Sequence, residues 1–168
     1  MNLAALAMLT LAAASAAAAA PHSSADKPIS STVIGPTNEP LADGAAALEE
    51  GRADDGIRLT LEGLKFPGPP RDMAAGHANL CAGYVLLHRW DEALAHCNTS
   101  IALDQGNWRA YNNRAAVFTA RGLYDDAIAD VQSGLKLAPD SATLQKSLKI
   151  IRENQRTMRR HGRSGGNA

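Results

Sequence analysis

The stretch YDDAIADVQSGLKLAP, Tyr124 to Pro139, nearly repeats WDEALAHCNTSIALDQ, Trp90 to Gln105, which lies 34 residues upstream. Laying Ala74–Asn107 over Trp108–Ser141 puts Asn79 on Asn113, Cys81 on Ala115 and Tyr84 on Phe118. It also puts Trp90 on Tyr124, Ala93 on Ala127, Ile101 on Leu135 and Leu103 on Leu137. Small residues fall on small and large on large. Each unit holds two amphipathic patterns with a break between them. In the second unit the break is RGLYDD, where Gly122 suits the end of one helix and Asp125 the start of the next. Pro139 stops the second helix, because the residue before a proline is disfavoured in helical geometry.

A worn third copy lies upstream. DDGI at Asp54–Ile57 answers DEAL at Asp91–Leu94 and DDAI at Asp125–Ile128, at an offset of 37, because PGPPRDM lengthens the connection by three residues. Gly44 then falls on Cys81, Gly56 on Ala93, Leu64 on Ile101 and Phe66 on Leu103. After Ser141, ATLQKSLKIIRENQRTMRRHG carries an apolar stripe of Leu144, Leu148 and Ile151 that predicts a final covering helix. A helical hairpin cannot bury its apolar face alone, and about three stacked copies make a stable array. The expected fold is therefore all-α. Residues 37–70 form a degenerate repeat, 74–107 and 108–141 two full repeats, and 142–160 a capping helix, with 37–160 as the domain. Few aromatics and abundant alanine suit close helix packing.

The beginning, MNLAALAMLTLAAASAAAAAPHSS, joins an apolar run to small residues suited to cleavage and reads as a signal peptide over 1–20. A membrane anchor is the alternative reading, since the run approaches spanning length. Alanine is a poor lipid residue and Pro21 follows the small residues, which favours processing. Residues 21–36, rich in Ser, Pro, Thr and Gly, read as a disordered linker, and 161–168 as a disordered tail. The expected location is outside the cytoplasm, periplasmic or secreted, with no stable membrane insertion after cleavage. Formal net charge is zero, so no nucleic-acid partner is expected. The charge is nevertheless polarised. Glu39–Lys65 carries seven acids against three bases, and Lys146 onward carries seven bases against Glu153.

The period, the small–aromatic–DDAI–P spacing and the hairpin pattern resemble the tetratricopeptide repeat family. The resemblance implies a right-handed superhelix of about three hairpins that binds peptides or proteins in a concave groove lined by the first helix of each hairpin. On that reading the groove includes Asn79, Arg109, Asn112, Asn113 and Lys146. The asparagine amides would both donate to and accept from a peptide backbone, and Arg109 and Lys146 would hold a carboxylate. Bracing of neighbouring helices is the competing role for the asparagines. The arrangement resembles in part the carboxylate clamp of chaperone-binding members, with Leu41 and Ala45 where that clamp uses Lys and Asn.

Nothing in the sequence points to an enzyme, a cofactor or a metal. No metal-ligand spacing, nucleophile elbow or phosphate loop occurs. The paired acids Asp54–Asp55, Asp91–Glu92 and Asp125–Asp126 recur at the start of second helices, where they suit helix amides and the helix dipole. Cys81 and Cys97 lie 16 apart on the two helices of one hairpin. Ala93 is expected across from Cys81, so two buried thiols are favoured over a disulfide, which remains the alternative. The function expected is noncatalytic protein or peptide binding. The alternative is a structural module that docks in an envelope assembly by its acidic and basic ends, and self-association is consistent with those ends.

Overall fold

The computed structural model describes residues 38–164, with side chains to His161. The signal segment, the linker and residues 165–168 lie outside the described residues. Seven helices follow one another, and no strand occurs among the described residues. They are α1 (Glu39–Glu49), α2 (Ala53–Gly63), α3 (Pro70–Leu86), α4 (Trp90–Leu103), α5 (Trp108–Ala120), α6 (Tyr124–Leu137) and α7 (Ala142–Ser164). The fold is all-α, three hairpins with a covering helix, and the degenerate first copy is a complete hairpin. Two boundaries differ from expectation. Helix α3 starts at Pro70, one turn ahead of the repeat register, because proline at N1 comes preset for a helix. Helix α7 continues to Ser164, into the segment expected to be a disordered tail.

The three hairpins turn in the same way. Gly51, His88 and Gly122, equivalent under the 37- and 34-residue offsets, all have φ between 57° and 77°. In the third hairpin Gly122 N donates to Thr119 O and Leu123 N to Phe118 O. The same paired bonds recur from Gly51 and Arg52, and from His88 and Arg89. They satisfy carbonyls that the end of a helix leaves open. The second turn places an L-residue, His88, in left-handed geometry at a steric cost.

Within each hairpin, residues 16 apart face each other. Cys97 faces Cys81. Asp130 faces Arg114. In the first hairpin a Cβ on Gly44 would run into Thr60 Oγ1 and lie 3.1 Å from the Gly56 carbonyl oxygen, so only glycine admits this approach. The connection from α4 to α5 lacks the proline found after α6. Asp104 Oδ1 accepts from Gly106 N at 2.8 Å instead, and Asn107 Nδ2 donates to Ser100 Oγ at 3.1 Å.

The first helices pack on one another in sequence, α1 on α3, α3 on α5 and α5 on α7. Each second helix packs on its own partner and on the next first helix. The first helices thus form the inner layer of a curved two-layer array. Between the layers, Cys81, Val85, Ala93, Ala116 and Val117 make one apolar cluster, and Ala115, Ala127, Val131, Leu144 and Ile151 the next. Burying each large side chain contributes about 1.5–3 kcal/mol. Leu144 and Ile151 show how α7 closes the array, giving the third hairpin the apolar neighbour that a fourth repeat would supply.

The turn column yields a direct test. His88→Gly removes the left-handed strain while leaving the hairpin bonds in place. It should stabilise the protein by about 1 kcal/mol in urea unfolding. Equal or lower stability would mean that the His88 contact with the Trp90 ring, at 5.1 Å, outweighs the strain.

Candidate functional site

The inner-layer helix α5 reads WRAYNNRAAVFTA, and Arg109, Asn113, Ala116 and Ala120 recur at three- and four-residue spacing along it. The asparagines of this layer are not open to solvent. Asn79, Asn112 and Asn113 are all buried. Asn79 Nδ2 donates to Leu41 O, 38 residues back, and Asn113 Nδ2 to Ala78 O, 35 back, both at 3.3 Å. Ser147 Oγ donates to Asn112 Oδ1, again 35 back, at 2.7 Å. Asn79, Asn113 and Ser147 are equivalent positions, so one polar bond recurs at each of the three seams between first helices. The asparagine amides thus brace neighbouring helices, Asn79 and Asn113 through their nitrogens and Asn112 through its oxygen. Leu41 and Ala45, at the clamp positions of the first repeat, are core residues.

Arg109 differs. Its side chain is half-buried, and its guanidinium carbon sits 4.7 Å from the centroid of the Trp108 ring. Its Nε is buried without a hydrogen-bond partner in the protein, and so is Asn113 Oδ1 one helical turn along. Burial pulls the Arg109 pKa below its usual value, against the opposing pull of the Glu49 charge. A guanidinium stays protonated in proteins, so this is a cation kept partly out of water without a close ion pair. Lys146 is exposed on the first turns of α7. Of the five expected groove residues, then, the structure makes three into seam braces and leaves Lys146 open. Arg109 alone is desolvated with an unused donor.

The cysteine expectation is corrected. Cys81 and Cys97 are joined in a disulfide, fully buried, with Cα atoms 5.2 Å apart, well inside the bridging range. The physical reason is the facing rule. The residue 16 on, one turn past Ala93, also comes opposite Cys81. Gly44 with Thr60 and Ala115 with Val131 occupy the same paired places in the other hairpins.

The recurring acids lie in the first turns of α2, α4 and α6, but none of those helices has a side-chain cap. Instead Asp55 pairs with Arg52 and Arg58, Glu92 with Arg89, and Asp91 with Arg121. Asp125 accepts from Gln155 on α7. Two contacts had no place in the sequence reading. Arg114 makes a two-pronged pair with the buried Asp130, at 2.8 and 2.7 Å, and reaches Asn98 with its remaining nitrogen. The 16-residue spacing of Arg114 from both partners is the signal that would have found them. His77 and His96, also half-buried, face each other with Nδ1 atoms 3.0 Å apart, and His96 stacks on Tyr84. Among the described residues no cluster of three or more His, Cys, Asp or Glu could hold a metal, and no helix is long and apolar enough to cross a membrane.

The comparisons with known proteins fit this geometry. No protein-family model matches the chain. The Hsp70-Hsp90 organizing protein of Triticum aestivum is 38% identical over 69 residues, 41% of this chain and 11% of that protein. The peptidyl-prolyl cis-trans isomerase FKBP42 of Arabidopsis thaliana is 29% identical over 96 residues, 54% of this chain and 26% of that protein. The chain thus spans about a quarter or less of the length of these curated relatives. Among solved structures, the Arabidopsis OM64 TPR domain superposes with a TM-score of 0.60 at 24% identity, over 69% of this chain and 94% of that one. The second TPR domain of human RPAP3, solved with the HSP70 peptide SGPTIEEVD, gives 0.57 at 24% identity, over 67% and 92%.

Two measurements follow. Replacing both cysteines by alanine should lower stability by about 3 kcal/mol in urea unfolding, the value for closing a loop of this size; equal stability with and without reductant would remove the bridge from the account. The second concerns the histidines. Burial lowers the pKa of both His77 and His96, and for His96 the neighbouring His77 adds to the effect while Glu92 opposes it. The unfolded chain therefore binds more protons than the folded one as pH drops below the ordinary histidine value near 6.5. Stability should be full above about pH 6.5 and fall on acidification towards the lowered values. In His77→Gln/His96→Gln that slope should be shallower, and an unchanged slope would contradict the assignment.

Proposed function

We propose, from the premise that this chain is a tetratricopeptide-repeat protein, that it is a noncatalytic scaffold. It holds an extended peptide or protein segment against its inner layer, with Arg109 receiving an acidic group of the ligand. The observation that carries this reading is the unused, buried donor of Arg109 beside the unused acceptor of Asn113. A half-desolvated cation without a close counter-charge costs stability, and a carboxylate would both pair it and fill the open hydrogen bond. Lys146 adds positive charge on the same layer. The similarity of the fold to TPR domains, one of them solved with a peptide rich in carboxylates, supports the class of ligand. The Cys81–Cys97 bridge supports action in an oxidising compartment, in keeping with the signal-like beginning and with a periplasmic or secreted location.

The test uses a defined probe. The peptide SGPTIEEVD and its C-terminal amide are titrated while the fluorescence of Trp108, which lies under Arg109, is followed. The free acid should bind at least about tenfold more tightly than the amide. Arg109→Leu should lose that preference while unfolding at equal or higher urea concentration, as expected for removal of an unpaired buried cation. Equal binding by both peptides and by the variant would remove Arg109 from the site.

A further inference from the structure

The two ends of the array carry opposite charge in ordered rows. On α1 the buried face is Leu41, Gly44, Ala45 and Leu48. The opposite face carries Glu39 and Asp43, four residues apart and exposed, and Glu50, just past the helix end, continues it while pairing with Arg52. On α7 the face carrying Leu144 and Ile151 packs inward, and Lys149, Arg152, Arg156 and Arg159 run along an exposed face. That row covers 11 residues, or about 16 Å at the helical rise. On α1 the acids of this face are Glu39 and Asp43, with Glu50 just past the helix end, so the two ends are complementary in sign.

These charges are available. Among the described residues Glu39, Asp43, Lys149, Arg152, Arg156 and Arg159 take part in no ion pair. The rows cannot meet within one molecule, since α1 packs on α2 and α3 while α7 packs on α5 and α6. Beyond Gln155, which bonds to Asp125 at the start of α6, α7 runs on to Ser164.

We propose that the exposed basic face of α7 docks on the exposed acidic face of α1 in a second copy of this chain. The contact joins different surfaces, so made once it is heterologous and made reciprocally by two copies it is two-fold. It closes when two copies reciprocate and extends when they do not. Charge complementarity between the two exposed faces favours this partner. A lipid surface fits less well, because the apolar side of α7 is turned into the core and Met158 is the one large exposed apolar residue on it, whereas a helix bound in a bilayer interface needs an apolar face to bury. The contact uses neither Arg109, Asn113 nor Lys146, so groove binding and end-to-end docking stand or fall separately.

The test is sedimentation velocity of the purified protein across a concentration series. Near 0.01 M salt, where the Debye length is about 30 Å, the average mass should rise with concentration above that of the monomer. Near 1 M, at about 3 Å, it should return to the monomer. Two variants make the result specific. Lys149→Glu/Arg152→Glu/Arg156→Glu is acidic at both ends, and Glu39→Lys/Asp43→Lys is basic at both. Each alone should remain monomeric at low salt, and their mixture should associate, which also shows that both are folded. A monomeric wild type at low salt, association of either variant alone, or a mixture that fails to associate would each overturn the proposal. So would wild type that binds phosphatidylserine vesicles at low salt but not itself, which would assign the basic face to lipid.

Discussion

The recurring bond between first helices is the contact on which the array depends. Each hairpin is held by contacts between helices near in sequence, but the inner layer exists only if hairpins stack in register. At each seam a buried polar side chain, Asn79, Asn113 or Ser147, reaches back to the preceding first helix. A bond of this kind contributes about 1 kcal/mol net. Its larger effect is negative, because a shifted register would leave a buried amide unsatisfied at about 1–3 kcal/mol. The apolar clusters supply the bulk of the stability, but apolar contacts tolerate sliding, and the polar ladder does not.

Arg109 takes its position from this ladder. It lies one turn before Asn113 on α5, so the bond that anchors Asn113 to α3 also fixes where the guanidinium sits. Trp108 supports it from one side, and the seam shields its Nε from water. The layer is thus stabilised at one residue and left unsatisfied at the next. That pairing of a braced residue with a desolvated one is the physical basis of the proposed binding role.

Much of the fold was legible because the repeat writes its constraints at fixed intervals. The 34-residue offset located the hairpins, Gly122 the turn, and Leu144 with Ile151 the cover. The offset of 37 recovered the worn first hairpin, although its packing rests on glycines whose only signal was their place under Cys81 and Ala93. What was missed shares one cause. The sequence reading placed Ala93 across from Cys81 but not the residue 16 on, which faces it as well, and that omission hid the disulfide and the Arg114–Asp130 pair together. The asparagines were ambiguous in another way. An amide at a repeated position on an inner helix suits a ligand and a neighbouring carbonyl equally well, and only the distance between hairpins shows that the carbonyl is within reach. For Arg109 the sequence offered a candidate but not its state, since burial of one nitrogen is a property of packing.

The claim that the seams unite the hairpins is most directly tested by native-state hydrogen exchange on the wild type and Asn113→Ala. The account predicts that the substitution lowers protection by about 1–3 kcal/mol on both sides of the seam, in α3 and α4 as well as in α5 and α6. Loss confined to α5 and α6, with α3 and α4 unchanged, would show that the hairpins fold independently and that the ladder does not hold the array together.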